Sequence, residues 1–401
     1  MDGQCVADNK INKGTREYWR AIIALFCGSL VTFGAEYCVQ PIIPIFTDTF
    51  SLKPATASLA VSFGTGGMAI AMLFIAEFAK RLPRKRVMSI ALIVSAILAV
   101  VMALSDYFGL ILVLRLCQGF LLAGFPAMAT AYISEEFDSA IVGAVMGIYV
   151  SGTSIGGLAG RMLLSFFTDL YSWRVALAVL GIVYAIIGVA FVLMLPKAHH
   201  SIDVKAPFSG LGEFKKLFSN KRLMAIYAIV FMLMGPFVCA YNYVSYVLLA
   251  EPYCLNQTNI GLFYLLYLVG TFSSTLMGAL SDRIGNGQTV LVSIFGMLVG
   301  ILLSLYPSLI GIIMGMGIFT FGFFGAHASA LSWSCKVDNS DKARITALYM
   351  FSYYMGSSLI GSGGGYFLSL WGWTGIVFFL VAILSVALLV SLLMLKNEDK
   401  I

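Results

Sequence analysis

Four ionisable side chains sit deep inside long apolar runs: Glu36, Arg115, Arg161 and His327. A charge placed there costs roughly 2.5–3.5 kcal/mol on insertion scales, so such residues face a partner or a water-filled cavity. Glu36 lies between Arg20 and Asp48, about 24 Å from the first and about 18 Å from the second along a helix. Arg115 follows Asp106 by nine residues, about 13 Å of helix. The depths allow a Glu36–Arg115 pair, which makes Glu36 a candidate proton carrier. Two other roles stay open for it: a structural bridge to Arg115 or neighbouring hydroxyls, and direct contact with a substrate. His327 is the one histidine inside an apolar run, because His199 and His200 fall in a polar stretch. A neutral imidazole can relay a proton, or it can simply make one local hydrogen bond. Arg161 lies further along its run, where a structural or gating pair with Asp169 is expected.

The elements that must position these groups follow from composition. Of the 401 residues, 60% are hydrophobic and 11% charged, against about 25% charged in a soluble chain. That deficit fits a chain solvated by lipid. Breaking the sequence at charged and turn-like stretches leaves twelve apolar runs: 21–46, 56–78, 87–105, 108–133, 140–167, 174–196, 224–249, 260–281, 288–306, 308–334, 344–369 and 373–395. Each is long enough for a membrane-spanning helix. The expected fold is an all-α membrane protein of twelve helices in two bundles of six. The expected parts are an N-tail 1–20, a bundle 21–196, a central loop 197–223, a second bundle 224–395 and a C-tail 396–401.

Charge placement gives an expected orientation. With both tails in the cytoplasm, 21 of the 25 Lys and Arg residues fall on the inner side, and only Lys53 and Arg174 on the outer. This is the positive-inside bias. It also accounts for the net charge of +6 without a nucleic-acid partner. The densest tract, "KRLPRKRV" at 80–87, becomes an inner loop. The seven cysteines form no CxxC pair, so neither a metal site nor a disulfide framework is expected. No Walker motif supplies ATP-driven transport. "GTSIG" at 152–156 lies within an apolar helix and lacks the strand–turn–helix setting of a serine hydrolase. An enzyme and a cofactor are therefore not expected.

The two halves repeat. "GFLLAGFPAMATAYIS" (119–134) aligns with "GIFTFGFFGAHASALS" (317–332), and "GTSIGGLAGRM" (152–162) with "GSSLIGSGGGYF" (356–367). Paired six-helix repeats imply a transporter with its site between the halves, near the midplane. Candidates for the cavity wall are Phe33, Tyr37, Gln40, Gln118, Asn242, Tyr243, Tyr246, Tyr267, Phe324 and Tyr353. Aromatic faces suit flat or cationic organic molecules. Gly152, Gly156, Gly157 and Gly160 sit at the spacing used for close helix packing in lipid.

The twelve spans, the basic turn after the second, "RLCQG" in the fourth and the glycine-rich fifth resemble the major facilitator superfamily. "YCVQPIIP", "YISEEF", "SGTSIGGLAGR", "FTDLYSWR" and "LYMFSYYMGSS" are similar to YnfM-type inner-membrane transport proteins, grouped with drug-efflux permeases. The resemblance covers nearly the whole chain. It implies alternating access around a central cavity, proton-driven efflux from a bacterial inner membrane, and a monomer that acts on a small molecule. Arg115, Gln118 and Gly119 match the family's R-x-x-Q-G element, associated with proton transfer or with holding a cavity carboxylate. On the inner side the resemblance implies a gate. Glu77, Lys80, Arg84, Lys85, Glu135, Glu136, Asp282 and Arg283 are its candidates. The family's acid at the turn after span 2 is replaced by Lys80, whereas Asp282 is kept in the second half. The fifth span lacks the family's proline, so the antiporter motif is only partly present. Export of lipophilic or cationic compounds is the leading expectation, with a polar metabolite carrier and a non-transporting receptor as alternatives.

Overall fold

The computed structural model describes residues 10–78, 81–198, 217, 219–338 and 341–398. The first crossing joins α1 (Arg16–Tyr37), a 3-10 turn at Gln40–Ile42 and α2 (Ile43–Phe50). Then come α3 (Pro54–Ala57) with α4 (Leu59–Phe78), α5 (Arg84–Ala103), α6 (Phe108–Leu122) with α7 (Gly124–Glu136), α8 (Val142–Leu170) and α9 (Trp173–Met194). The second half holds α10 (Lys221–Leu249), α11 (Gln257–Phe263) leading into α12 (Tyr267–Ile284), α13 (Asn286–Leu303), α14 (Leu309–Val337) and α15 (Lys342–Glu398).

Helix starts follow the local chemistry. Thr15, Ser172, Asn220 and Ser308 each accept a backbone N–H of the first turn of α1, α9, α10 and α14, as N-cap residues do. The 57 residues of α15 would reach about 85 Å, against about 30 Å of hydrocarbon. They form two crossings, broken where Trp371 leaves helical geometry and Gly372 takes φ 60°. Among the described residues the crossings therefore number twelve, and the expected runs match them to within a few residues.

Twelve crossings return the chain to the face on which it starts. That face carries most of the cations and is called the basic face here; the other, with Lys53 and Arg174, is the far face. Within the first half, α8 lies against α1 through glycine. A Cβ on Gly152, Gly156 or Gly160 would strike Phe26, Leu30 or Gly34 backbone atoms. Gly157 is different: its carbonyl accepts Arg161 Nη1 at 2.5 Å.

The two halves are joined between the far face and the middle. Thr47 Oγ1 meets Tyr246 Oη at 2.5 Å, Gln257 Nε2 donates to the Pro41 carbonyl at 2.9 Å, and Thr258 Oγ1 donates to Asp169 at 2.5 Å. Deeper, Tyr243 Oη meets Ser58 Oγ at 2.8 Å, Ser62 bonds Ser362, and Ser358 Oγ donates to the Ser62 carbonyl at 2.8 Å. Small residues make this approach possible: a Cβ on Gly365 would strike the backbone of Ala55 at 2.5 Å. Side-chain hydrogen bonds between described residues of opposite halves all fall in this zone.

Candidate functional site

Arg115, on α6, is fully buried and reads the backbone of two neighbouring crossings. Nε donates to the Ala60 carbonyl at 2.8 Å and Nη1 to the Ala35 carbonyl at 2.9 Å; Nη2 donates to the Glu36 carbonyl. Nη1 also reaches Gln118 Oε1 at 2.6 Å, and Gln118 Nε2 donates to the Ser95 carbonyl at 2.8 Å. The R-x-x-Q pair is thus a polar clamp inside the first half, and Gln118 lies there and not among the rings that line the centre. Gly64 leaves room for it. A Cβ at that position would come within 2.7 Å of Arg115 Nη2 and 2.9 Å of Glu36 Oε1.

The Glu36 side chain does not join the clamp. Both carboxyl oxygens are buried without a hydrogen-bond partner, and no cation lies within 4.0 Å of them among the described residues. Arg115 holds the main chain of Glu36, and the carboxyl group beside it is left over.

Arg161 occupies the boundary between the halves. It is buried, on α8. Nε donates to Gln40 Oε1 at 2.9 Å and Nη2 reaches Tyr267 Oη at 3.4 Å, in the opposite half. The guanidinium carbon stands 4.8 Å from the Tyr37 ring centre, 5.2 Å from Tyr264 and 4.6 Å from Tyr267. Asp169, the expected partner, is instead bonded to Thr258. No carboxylate oxygen lies within 4.0 Å of Arg161 among the described residues. Burying an unpaired ion costs several kcal/mol, and a cation–π contact returns about 0.5–2 kcal/mol. Three tyrosine rings therefore offset a part of that cost.

From this cation a column of rings runs toward the basic face. Tyr267 packs on Phe237 with centres 5.4 Å apart, and Phe237 stacks on Phe323 at 3.8 Å. Phe324 stands edge-on to Phe237 at 5.8 Å. Phe323 is parallel to His327 at 6.1 Å, and His327 meets Tyr353 at 4.8 Å. His327 Nδ1 lies 2.9 Å from Tyr349 Oη, whose hydroxyl also approaches the His327 carbonyl at 3.0 Å. Of the expected cavity residues, Tyr37, Tyr267, Phe324 and Tyr353 are gathered here, and Phe33 is half-buried on α1.

Gln40, Asn242, Tyr243 and Tyr246 are placed differently. They belong to the junction toward the far face. Arg161 holds Gln40, Gln40 Nε2 donates to Asn242 Oδ1 at 2.9 Å, and Asn242 Nδ2 donates to the Gly361 carbonyl at 3.1 Å. One chain of hydrogen bonds thus crosses both halves.

Comparison with known proteins agrees with this architecture. The description "Major Facilitator Superfamily" matches residues 25–359. The chain belongs to the major facilitator superfamily. This facilitator is 38% identical to the inner membrane transport protein YnfM of Escherichia coli over 385 residues, covering 95% of this chain and 92% of that one. It is 36% identical to the MFS-type transporter YybF of Bacillus subtilis, covering 95% of each. In fold it is similar to a bacterial homologue of the human lysosomal transporter Spinster, in an inward-facing and unoccupied conformation. The TM-score is 0.77 at 16% identity, over 96% of this chain and 99% of the other. The facilitator is a multi-pass membrane transporter of small molecules, and not an enzyme.

On the basic face of this facilitator, Arg84 Nη2 and Nε grip Glu135 at 2.5 and 2.9 Å. Lys85 Nζ donates to the Leu195 carbonyl at 2.5 Å. Both contacts stay inside the first half, tying the turn after α4 to the ends of α7 and α9. Glu136 is buried beside them, and its carbonyl accepts Ile11 N at 2.7 Å. Asp282 and Arg283 are exposed at the end of α12. The Glu77 side chain and Lys80 lie outside the described residues.

Several participants carried no signal of their own in the sequence. Ser58, Ser62, Ser358 and Ser362 are ordinary hydroxyls in apolar helices; only their repeat at every fourth residue on two helices hints at a common seam. Phe237, Phe323 and Tyr349 are indistinguishable by type from rings that face lipid.

Proposed function

We propose that this facilitator is a proton-coupled exporter of small lipophilic organic compounds in a bacterial cytoplasmic membrane, with the basic face and both termini in the cytoplasm. It works by alternating access: the far-face junction is closed here, and it parts when the opposite face closes. The bonds of that junction are single hydrogen bonds between small polar groups, each worth about 1 kcal/mol. They can therefore be exchanged for water without a large barrier. The substrate lies against the half-buried rings of that column, Tyr267, Phe324 and Tyr353, whose faces suit flat apolar bodies. The positive-inside bias supports the orientation.

The observation that carries proton coupling is the Glu36 carboxyl group, buried with neither oxygen bonded. A carboxylate there has no hydrogen-bond partner of its own, which suits a group that takes up a proton in one conformation and releases it in the other. Reconstituted vesicles with an imposed pH gradient test this. Accumulation of a fluorescent lipophilic dye should follow the gradient in the unmodified protein and fall to passive equilibration in Glu36→Gln. Gradient-driven accumulation that survives the substitution overturns the coupling role.

Cationic substrates would be favoured if Glu36 supplied the charge of the cavity. In the fold Glu36 lies against Gly64 and the Arg115 clamp, while the charge between the halves is that of Arg161.

A further inference from the structure

We propose that Arg161 is the anchor for an anionic oxygen group of the substrate, and that the facilitator prefers organic acids with an aromatic or apolar body over the matching amines. The inference rests on the transport reading above and names the charge class for the same site.

A guanidinium has five N–H donors. Among the described residues, the acceptors of Arg161 are Gln40 Oε1, the Gly157 carbonyl and, at 3.4 Å, Tyr267 Oη. Two N–H groups are left over, and the Tyr267 bond is at the limit of a hydrogen bond. The Tyr37 hydroxyl, on the ring that faces the guanidinium, is buried without a partner. The site therefore offers spare donors on both the cation and a neighbouring ring, with no carboxylate of the protein within 4.0 Å among the described residues. An incoming carboxylate takes the place of the long Tyr267 bond and gains a bidentate grip.

The surroundings fit the remainder of such a molecule. Tyr267 is shared between the cation and the ring column, packing on Phe237 at 5.4 Å. A ligand with its acid on Arg161 thus lays its body along the half-buried rings of Tyr267, Phe324 and Tyr353, with Phe237 and Phe323 packed behind them. An amine placed there would meet a buried cation.

The site also sits on the boundary between the halves. Tyr267 comes from the second half, and Gln40 is tied to the second half through Asn242. Parting the halves toward the far face removes Tyr267 and frees Gln40, so the guanidinium turns to that side with its anion. The charge of the ligand and the junction are coupled through one residue.

Equilibrium binding to the detergent-purified full chain tests this without a gradient, so it is independent of proton coupling. Three probes share one ring system: 1-naphthylacetate, 1-naphthylacetamide and 1-(1-naphthyl)ethylamine. The acetate should bind about tenfold tighter than the amide and the amine weakest. Arg161→Gln should bring acetate and amide to within about twofold of each other. Tyr267→Phe, which removes only the competing hydroxyl, should retain or tighten acetate binding and serves if Arg161→Gln fails to fold. An amine that binds as tightly as the acetate, an acetate preference that persists in Arg161→Gln, a loss of acetate binding in Tyr267→Phe, or no binding of the acetate overturns the proposal. Gradient-driven accumulation that survives in Glu36→Gln, with an intact acetate preference, would sink the coupling reading alone.

Discussion

Gln40 Nε2 donates to Asn242 Oδ1 at 2.9 Å, and this bond ties the first crossing of the chain to the seventh, the first of the second half. Both side chains are buried, and each has a second partner: Arg161 for Gln40 and the Gly361 carbonyl for Asn242. The link is therefore a relay and not an isolated contact. In the proposed alternating access, its break is a step by which the far face opens.

The first prediction concerns that balance. Asn242→Ala removes the acceptor and should favour the opened far face by about 1 kcal/mol, roughly fivefold in population. Spin labels on cysteines introduced at Tyr171 and Glu251, exposed on opposite halves, read the distance. Exposed Cys117 and Cys254 are first replaced by Ser. An unchanged distance distribution would show that the junction is held elsewhere.

A second prediction follows from the contact of α8 with α1. A Cβ on Gly156 would lie against the backbone of Leu30, which cannot rotate away, whereas at Gly143 it would meet no atom within 4 Å. Overpacking of this kind costs about 1–3 kcal/mol. Gly156→Ala should lower the thermal midpoint of the purified protein by several degrees, and Gly143→Ala should leave it unchanged. Equal midpoints for the two would remove the packing role.

Much of the fold is legible in the sequence for one reason: lipid leaves a spanning chain little choice but helix. Apolar run length thus reads directly as crossings, and even the junction inside α15 falls at Gly372, between two expected runs. The first crossing is less simple than its run. Pro41 and Pro44 break it into α1, a 3-10 turn and α2. The site is less legible. Arg115 and Gln118 do act as a pair, yet the clamp takes the carbonyl of Glu36 and leaves its carboxyl aside. Arg161 meets Gln40 and Tyr267, 121 and 106 residues away in the chain. Neither pairing has a local signature, and an acid eight residues along the same helix is the natural expectation. Asp169 points elsewhere because Thr258 of the other half offers both a hydroxyl and a backbone N–H.

The third prediction separates Glu36 from Arg115 by what each touches. Glu36→Gln removes no hydrogen bond of the side chain, because there is none. Its thermal midpoint should therefore stay within about a degree or two of the parent, the range of substitutions that break no contact. Arg115→Lys replaces a fork that reaches Ala60, Ala35, Glu36 and Gln118 by a single ammonium. Unmet carbonyls at that depth cost about 1–3 kcal/mol each, so the midpoint should fall by several degrees. Comparable destabilisation in both variants would mean that the carboxyl group has a structural partner after all.

The last prediction concerns the basic face. Arg84 and Glu135 form a two-bond ion pair, with the side chains 13% and 35% exposed. Partly exposed pairs of this kind contribute about 0.2–1 kcal/mol and weaken with salt. Because both partners belong to the first half, Arg84→Ala should soften that half without moving it relative to the other. The thermal midpoint should drop slightly at low salt, and the difference should shrink at 1 M salt as the Debye length falls to about 3 Å. Labels on cysteines introduced at Lys197 and Arg283, exposed on the basic face of opposite halves, should report an unchanged distance. A widened or narrowed distance would mean that the pair biases the opening of this face and belongs to its gate, in which case Glu135→Gln should reproduce the same change.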